Sequence, residues 1–156
     1  MEAVLVKDTR EPEFAWDAYF TAPVINKKLD TGDYSLKGFE SYIGIERKTL
    51  DDLIGCLTKG RERFERELKR SKKLDYFAVI VEAGFTQLVL GDYRSRLNPK
   101  SAIESISAWE IRYGTHFLFA GNREMAALKA ESLLLKFYRE RFLKPNEALS
   151  RAIMNC

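Results

Sequence analysis

The amino-terminal part of the chain alternates short apolar runs with turn residues, a pattern typical of β-strands. Residues 3–7 (AVLVK) form the first such run, and Val24-Ile25 starts the next. Turns are predicted at residues 30–34 and 37–38, before a longer strand candidate over residues 41–48. The segments from Val24 onward in this part are expected to form successive antiparallel strands.

Three more strand candidates lie further along the chain. Residues 76–81 (YFAVIV) form a nearly continuous apolar run with β-branched residues, as in a strand that is buried on both faces. Residues 86–90 are a short candidate and residues 116–120 are another. The run at 76–81 is therefore predicted to lie inside a sheet.

Two helices are predicted directly after the strand at residues 41–48. Thr49 is a candidate N-cap, and apolar residues follow with helical spacing at Leu50, Leu53, Ile54 and Leu57. This helix should end near Gly60. The basic segment that follows is expected to form a second helix with Phe64 and Leu68 on one face.

Helix-start signals also occur in the second half of the chain. Asn98-Pro99 begins a predicted helix that Gly114 ends, and Asn122 begins a last helix that reaches about Tyr138. The order of elements is thus β-rich first, then alternating α and β. It predicts a three-layer α/β fold in which helices flank a mixed central sheet.

The composition is that of an ordinary globular domain. The 156 residues are 46% hydrophobic and 31% charged, with 9 Gly and 4 Pro, which predicts one domain and excludes disordered and collagen-like classes. No apolar run approaches the roughly 18 residues of a membrane span, and no basic leader precedes the first apolar run. We therefore expect an intracellular protein without a membrane partner.

Few side chains are available for a soft metal site. The cysteines are Cys56 and Cys156 and the histidine is His116, too few for a Cys/His zinc site and unlike a disulfide framework. Any metal ion must therefore be held by carboxylates.

Positive charge is concentrated in one segment. The chain has a formal net charge of +3, but residues 59–73 contain eight Lys or Arg and three Glu, a local charge of +5. The rest of the chain therefore sums to −2. Such a segment either contacts a phosphate-rich partner or is a solvated helix face with internal ion pairs.

The candidate chemistry lies at Asp33 and in the strand that ends at Lys48. Side chains alternate along a strand, so Glu46 and Lys48 project from one face, about 6.6 Å apart along it. Asp33, from the neighbouring strand, can complete the group. Two carboxylates that face one point suit Mg²⁺ or Mn²⁺, and a nearby lysine can orient a water or stabilise charge on a phosphate. These residues predict a hydrolytic phosphodiester site.

The same residues also fit a solvated strand without a function. Two features favour the site: Asp8, Arg10 and Glu11 stand at another predicted strand end, and Arg47 lies on an otherwise apolar face. An arginine in that position needs a carboxylate partner, because an unpaired buried charge costs several kcal/mol.

The motifs occur in the order of a known family. VKDTRE at residues 6–11, Gly32-Asp33-Tyr34 and IERK at residues 45–48, with Asp52 beyond, resemble the GDx(n)ERKx(3)D signature of the XPF-type structure-specific endonucleases. The resemblance covers nearly the whole chain.

The resemblance implies a restriction-endonuclease-like core of the PD-(D/E)XK type. In such a core Asp33 and Glu46 bind the metal ion and Lys48 assists the water. Five further residues complete the implied catalytic site: Asp8, Arg10, Glu11, Arg47 and Asp52. Residues 1–145 would form the nuclease domain and residues 146–156 a short carboxy-terminal tail.

The chain differs from larger members of that family, which usually append a tandem helix-hairpin-helix module. Only about sixteen residues follow Glu140, and no helicase region is present. The nuclease domain is therefore expected to make its own DNA contacts or to borrow those of a partner. The resemblance further implies a homodimer or heterodimer through the carboxy-terminal part of the domain, with these candidate contacts: Leu133, Leu134, Phe137 and Tyr138.

The sequence-based hypothesis is a Mg²⁺- or Mn²⁺-dependent endonuclease that cuts DNA near a fork, flap or junction in repair or recombination. The candidates for binding the DNA backbone are Arg61, Arg63, Arg66, Lys69 and Arg70, with Arg94 and Arg96 as a second group. One alternative is a junction resolvase or other nuclease on the same core. Another is a catalytically silent DNA-binding scaffold subunit. The expected location is cytoplasmic, or at the nucleoid or nucleus.

Several residues also admit a structural role. Asp52 follows Thr49 with the spacing of a helix cap, so capping and catalysis are both open for it. Glu82 is expected to be a structural partner of Arg47 or of Arg61. Trp16 and Trp109 are expected in the core or in a subunit interface.

Overall fold

The computed structural model describes residues 2–156, which fold into a six-stranded mixed sheet with helices on both faces. The strands are β1 (Leu5–Lys7), β2 (Val24–Asn26), β3 (Tyr34–Leu36), β4 (Ile43–Lys48), β5 (Tyr76–Val81) and β6 (His116–Phe119). Across the sheet they lie in the order β2-β1-β3-β4-β5-β6.

Helices connect and cover the strands. They are α1 (Leu50–Leu57), α2 (Arg61–Ser71), α3 (Phe85–Val89), α4 (Pro99–Tyr113), α5 (Arg123–Tyr138) and α6 (Lys144–Met154). A 3₁₀ turn at Asp17–Tyr19 and a π-helical turn at Arg139–Leu143 complete the described elements. In the described part of the chain, no helix combines the length and the apolar character that crossing a bilayer requires.

The predicted helix caps are confirmed. The Thr49 hydroxyl accepts a hydrogen bond from the Asp52 backbone N–H at 3.1 Å. The Asn98 side chain accepts bonds from two backbone N–H groups of the first turn of α4, and Asn122 accepts one in α5. Gly114 ends α4 in the left-handed conformation, with φ of 65°, which glycine adopts without a Cβ clash. Local sequence therefore fixed where these helices start and stop.

The alternation of side chains along β5 builds the three layers. Phe77, Val79 and Val81 are buried against α1, α2 and α4, while Ala78 and Ile80 are buried against α5. The two tryptophans lie one in each layer, and both are fully buried. The three-layer α/β fold and the central, doubly covered position of β5 are confirmed, and Trp16 and Trp109 belong to the core rather than to an interface.

Strand directions bring several carboxyl ends to one edge of the sheet. β4, β5 and β6 are parallel, and β3 is antiparallel to both β1 and β4. The carboxyl ends of β1, β4, β5 and β6 therefore lie at the same edge as the amino end of β3. We refer to this edge as the catalytic edge, since the candidate site residues follow or precede these strand ends.

Two strand predictions are wrong. β2 does not continue an antiparallel series: it pairs in parallel with β1, at the edge of the sheet, because β1 lies between β2 and β3. Residues 86–90 form no strand, since Phe85–Val89 is helix α3. The Gln87 side chain accepts a hydrogen bond from the Gly84 N–H at 2.8 Å, which supports the first turn. A run this short carries too few positions for its period to separate helix from strand.

The carboxy-terminal residues are helical. The π-helical turn joins α5 to α6, which spans most of the predicted tail and has no buried residue. The π-helical turn lies directly before Pro145, which cannot donate a backbone hydrogen bond inside a helix. Of the predicted interface candidates, Leu134 and Tyr138 are buried in the core of the chain itself, so these two are not available to a partner.

Candidate active site at the catalytic edge

The backbone around Asp33 is shaped by Gly32. Gly32 has φ of +84°, and a Cβ at this position would lie 3.2 Å from the Ile45 carbonyl oxygen, so a side chain is excluded there. The Asp33 N–H donates to the Ile45 carbonyl at 2.8 Å. The Arg47 N–H in turn donates to Asp33 Oδ2 at 2.8 Å. Gly32 thus allows Asp33 to lie against the end of β4, beside Glu46.

Asp33, which is half-buried, and Glu46, which is buried, form a pair of carboxyl groups. Glu46 is 6% exposed and lies on β4 one residue before Arg47. Burial, reinforced by the charge of Asp33, raises the pKa of Glu46 well above its ordinary value. Burial also raises the pKa of Asp33, although hydrogen bonds from Glu46 and from the Arg47 backbone oppose the shift. The two groups compete for ionisation, as carboxyl pairs in catalytic sites do.

Lys48 lies on the same face of β4 as Glu46, as predicted. Its Nζ is 3.3 Å from Glu46 Oε2 and 5.3 Å from the centre of the Phe64 ring. Burial disfavours the ammonium form, but the neighbouring acidic groups, Glu46 first, together outweigh burial and raise the pKa of Lys48. The side chain therefore stays protonated and can donate hydrogen bonds, while it cannot act as a base near neutral pH.

An open cavity of about 450 Å³ lies over these groups. Residues from β4, α1, α2 and the loops beside them line it, including six of the eight predicted catalytic residues: Asp8, Arg10, Asp33, Glu46, Lys48 and Asp52. A space of this size, lined mostly by charged groups, suits a phosphate ester and a hydrated cation rather than an apolar ligand.

Asp8 and Arg10 form a rigid rim of the cavity. Asp8 accepts hydrogen bonds from the Arg10 side chain at 2.8 Å and from the Leu29 N–H at 2.8 Å. Burial opposes ionisation of Asp8, but these bonds outweigh it and lower its pKa. Arg10 also donates to the Leu29 carbonyl at 2.9 Å. The pair therefore holds the loop before β3 against the end of β1.

Glu11 and the Arg47 side chain lie on the other face of the sheet, outside the cavity. Arg47 Nε donates to Glu11 at 2.8 Å and Nη1 donates to Glu82 at 3.0 Å. Glu82 also accepts from the Trp16 indole at 3.1 Å and from Arg123 at 3.2 Å. The predicted carboxylate partner of Arg47 is thus confirmed as Glu82, together with Glu11. We name this group the Arg47 network.

The structure is compatible with both roles that the sequence left open for Asp52, helix capping and catalysis. The Thr49 cap uses the backbone N–H of Asp52, and the Asp52 carboxylate is left beside the cavity. The neighbouring Asp51 contacts Arg94 instead, whose N–H donates to Asp51 Oδ1 at 3.0 Å. The cap therefore does not occupy the carboxylate that a catalytic role would need.

The predicted DNA-binding arginines fall into different environments. Arg63 and Arg70 line the cavity. Arg61 is held by the core instead: its guanidinium lies 5.3 Å from the centre of the Trp109 ring and 3.5 Å from Glu65. Arg66 and Lys69, with the second group Arg94 and Arg96, lie outside the cavity lining.

Sequence reasoning missed two residues that line the cavity, Glu67 and Cys56. Glu67 lies on α2, four residues after Arg63, so helical spacing from the basic residues could have placed it on the same face. Its charge contributes to the raised pKa values of Asp33 and Glu46. The Cys56 thiol is half-buried beside Lys48, and burial raises its pKa.

The donor set fits a hard divalent cation. Asp33 and Glu46 supply carboxylate oxygens at one point, and a bound cation would relieve the repulsion that raises their pKa values. Across residues 2–156, no group of three or more His, Cys, Asp or Glu side chains is arranged to hold a metal ion. Asp33 and Glu46 could therefore hold the cation only with oxygens from water or substrate completing its shell, as Mg²⁺ commonly has.

Comparison with known proteins gives matches at the levels of family and fold. A family model of the ERCC4 domain matches residues 8–131, which include every predicted catalytic residue. No curated protein matches the sequence.

Two solved structures are similar in fold. XPF from Aeropyrum pernix superposes with a TM-score of 0.67 and 26% identity, over 84% of this chain and 59% of that one. XPF from Aeropyrum pernix in a complex with DNA gives a TM-score of 0.67 and 25% identity, over 89% of this chain and 66% of that one. This chain spans 59% of the length of the first structure. With the family model matching well over half of its residues, the chain belongs to the ERCC4 domain family and has the restriction-endonuclease-like fold of an XPF-type nuclease domain.

Proposed function

We propose that the protein is a Mg²⁺- or Mn²⁺-dependent endonuclease that hydrolyses one DNA strand near a fork, flap or junction. The observation that carries the proposal is the convergence of Asp33, Glu46 and Lys48 in one open cavity. Two adjacent carboxyl groups, one half-buried and one buried, with raised pKa values are unfavourable for stability, and structures retain such groups mainly where they hold a cation or transfer protons.

The residues of the cavity have separate roles in the proposed hydrolysis of a phosphodiester. When bound, the divalent ion would polarise the phosphate and lower the pKa of a bound water. Asp33 and Glu46 would hold the cation, and the Arg47 N–H orients the Asp33 carboxylate. The protonated Lys48 donates hydrogen bonds, to orient the attacking water or to stabilise charge on the phosphate. Asp8 and Arg10 fix the opposite rim.

DNA is proposed as the substrate on two grounds. One of the similar structures is XPF in a complex with DNA. The cavity also combines the carboxylates with Arg10, Arg63 and Arg70, whose positive charges suit the phosphates on either side of a cleaved bond. A preference for branched DNA, and a place in repair or recombination inside the cell, follow from the XPF-type fold and belong to this proposal.

The test is cleavage of labelled fork, flap, four-way-junction and linear duplex DNA in Mg²⁺, Mn²⁺ or EDTA. We expect cleavage near the branch of forks or flaps, with either metal ion and none in EDTA. Cleavage restricted to four-way junctions favours a resolvase, and equal cleavage of linear duplex removes the structure-specific part. Binding without cleavage in any metal ion favours a silent scaffold subunit and contradicts the proposal.

We also propose that the chain pairs with a second nuclease domain, of its own kind or another. Leu133 and Phe137 on α5 are only half-buried and line a shallow groove with Ile43 and Tyr76, which leaves apolar surface for a partner. Light scattering should give the mass of a dimer, and Leu133→Asp should give a monomer with an unchanged circular dichroism spectrum. A monomeric wild-type protein contradicts pairing with itself, and pull-down of a second nuclease-domain subunit then tests the heterodimer.

A further inference from the structure

Helix α2 presents one continuous stripe of residues to the active-site cavity. Arg63, Glu67 and Arg70 all line it, and their spacing of four and then three residues places them on one helical face. Phe64, on the same side, is buried under Lys48. Arg66 and Lys69 do not line the cavity, although Arg66 is spaced three residues from Arg63 and four from Arg70. The basic helix is therefore divided, with one part of its charge facing the catalytic carboxylates.

The two inward arginines are free to bind a ligand. Neither guanidinium of Arg63 or Arg70 takes part in a hydrogen bond or ion pair with any group in the described part of the chain. By contrast, Arg10, Arg47 and Arg61 are each held by carboxylates or carbonyls. Two unneutralised guanidinium groups beside a cavity are an arrangement that phosphate oxygens can satisfy with bidentate bonds.

The spacing of the two arginines matches a single DNA strand. Seven residues of α-helix rise about 10.5 Å. Phosphates of one strand follow each other about every 3.4 Å along the duplex axis, so this rise corresponds to about three phosphate steps. A strand lying along α2 would therefore place phosphates near Arg63 and near Arg70, with others opposite the stretch between them.

Glu67 makes the position between the arginines different from the two ends. Its carboxylate lies between Arg63 and Arg70 on the cavity stripe, and its negative charge adds to that of Asp33 and Glu46. A phosphate opposite Glu67 is repelled unless a cation lies beside it, whereas a phosphate opposite either arginine is attracted. Only the phosphates between the two arginines would therefore depend on the metal ion.

We propose that Arg63 and Arg70 are positioning residues that hold two phosphates of one strand about three steps apart, with the scissile phosphate between them, so that α2 lies along the cleaved strand. The inference rests on the proposed nuclease function and deepens it by assigning the path of that strand. It predicts that basic residues outside the cavity lining contribute little to the cleavage rate at saturating DNA.

The test compares two variants that lose the same charge from the same basic segment. Arg63→Ala/Arg70→Ala removes the inward pair, and Lys72→Ala/Lys73→Ala, at two exposed lysines directly after α2, is the matched control. For the inward pair we expect the slope of log affinity against log salt to fall by about 1.8 on duplex-containing DNA, since each lost phosphate contact contributes about 0.9. We also expect a loss of about 10-fold to 100-fold in the single-turnover rate at saturating DNA, because the scissile phosphate is misplaced.

The control variant should retain both the salt slope and the saturating rate. Equal losses in the two variants, or none in either, would overturn the inference. So would an inward variant that binds more weakly but cleaves at the wild-type rate when saturated, because its arginines would then not position the scissile phosphate.

Substituted DNA supplies a second, independent readout. Pairs of neutral methylphosphonates three phosphate steps apart, scanned along each strand, should weaken binding by wild type at one placement. They should cause no further loss there in the inward variant, because the contacts are already absent. Additive losses contradict the inference. Binding is measured in EDTA, so this arm separates the two hypotheses: if wild type never cleaves, the nuclease proposal fails while the methylphosphonate result still decides the path of the strand.

Discussion

At the carboxyl end of β4, charged side chains project from both faces of the strand. On one face the charges are paired with opposite charges, and on the other face the carboxyl groups are only partly neutralised. On the α5 side, the Arg47 network pairs its central cation with two carboxylates at 2.8 and 3.0 Å. On the α1 and α2 side, Asp33 and Glu46 face each other, and the one nearby ammonium is Lys48 at 3.3 Å from Glu46. Neighbouring residues of β4 thus lie in different environments. Arg47 belongs to a network in which opposite charges are paired, whereas Glu46 belongs to a cavity whose carboxyl groups are only partly neutralised.

The difference separates structural charge from functional charge. The Arg47 network matches every buried charge with an opposite one, as stability requires. Burial raises the pKa of Glu11 in that network too, but there the hydrogen bond from Arg47 opposes the shift. In the cavity the charge of Asp33 reinforces the raised pKa of Glu46, and two lining arginines have no carboxylate partner among the described residues. A site whose charges are not fully neutralised by the protein can bind charged ligands that neutralise them. Changes to the two faces should accordingly have different consequences, for stability on one side and for cleavage on the other.

The largest effect on stability is expected for Arg47→Met. This change removes the guanidinium and leaves Glu11 and Glu82 buried without their partner, which should lower the free energy of unfolding by about 3–5 kcal/mol. The backbone N–H that orients Asp33 is retained. Urea unfolding followed by circular dichroism measures the change. A loss below about 1 kcal/mol would mean that the network is not needed for stability.

Asp33→Asn and Glu46→Gln are expected to reduce cleavage without a loss of stability, the opposite of Arg47→Met. Each removes one carboxylate from the cavity and should reduce Mg²⁺-dependent cleavage by at least about 100-fold, while DNA affinity stays equal or rises because repulsion of phosphate falls. Thermal stability should rise, since a buried group that is unfavourable when ionised has been replaced. Calorimetry and single-turnover cleavage test the pair. A variant that retains most of its activity contradicts the site.

The pH dependence of stability should distinguish wild type from Glu46→Gln. Burial and the charge of Asp33 raise the pKa of Glu46, so the folded protein binds its proton more tightly than the unfolded chain. The contribution of Glu46 to the free energy of unfolding is then largest below its unfolded pKa and falls as the pH rises to the folded value. The stability advantage of Glu46→Gln should therefore grow from acidic to neutral pH in EDTA. A constant difference across that range contradicts the assignment.

Smaller effects are expected at the start of α1, where one substitution should lower stability and another should lower cleavage. Thr49→Ala removes the cap and should lower stability by about 1 kcal/mol with little change in cleavage. Asp52→Asn keeps the backbone N–H that binds Thr49, so we expect less than about 1 kcal/mol of lost stability and a loss of about 10-fold in cleavage. Unfolding and single-turnover assays of both variants are the measurement. Normal cleavage by Asp52→Asn would leave only the capping role.

The smallest effect is expected for Arg123→Ala, at the exposed end of the Arg47 network. Arg123 is 48% exposed and lies 3.2 Å from Glu82, which keeps its contacts with Arg47 and Trp16. Exposed pairs contribute about 0–1 kcal/mol, so stability should change little and high salt should reduce the difference from wild type. A loss as large as that of Arg47→Met would show that both arginines are needed to neutralise Glu82.

Much of the site was predictable because β4 is a regular strand. Its alternation alone assigns Glu46 and Lys48 to one face and Arg47 to the other, and Ile43 and Ile45 show that the face of Arg47 is otherwise apolar. Helix starts were equally accessible, because Thr49, Asn98 and Asn122 cap helices through contacts within a few residues. In each case the deciding interaction is short-range along the chain.

The errors lie where distant segments compete. β2 pairs with β1 rather than with β3, the strand that follows it. The connection over residues 27–33 therefore passes the end of β1 to reach β3. Residues 85–89 adopt a helical turn because Gln87 supports it and Leu88 is buried in the core. Neither outcome can be inferred from the period of a five-residue run.

The sequence by itself determined which residues can do chemistry, the face of β4 on which each lies and the limits of most helices. The tertiary structure alone decided which charges meet. Glu11 and Glu82 reach Arg47 from 36 and 35 residues away, and α2 turns Glu67 and two of its arginines into the cavity while Arg61 lies against Trp109. The physical reason is that pairing depends on distance and burial in space, which local patterns of polarity do not encode.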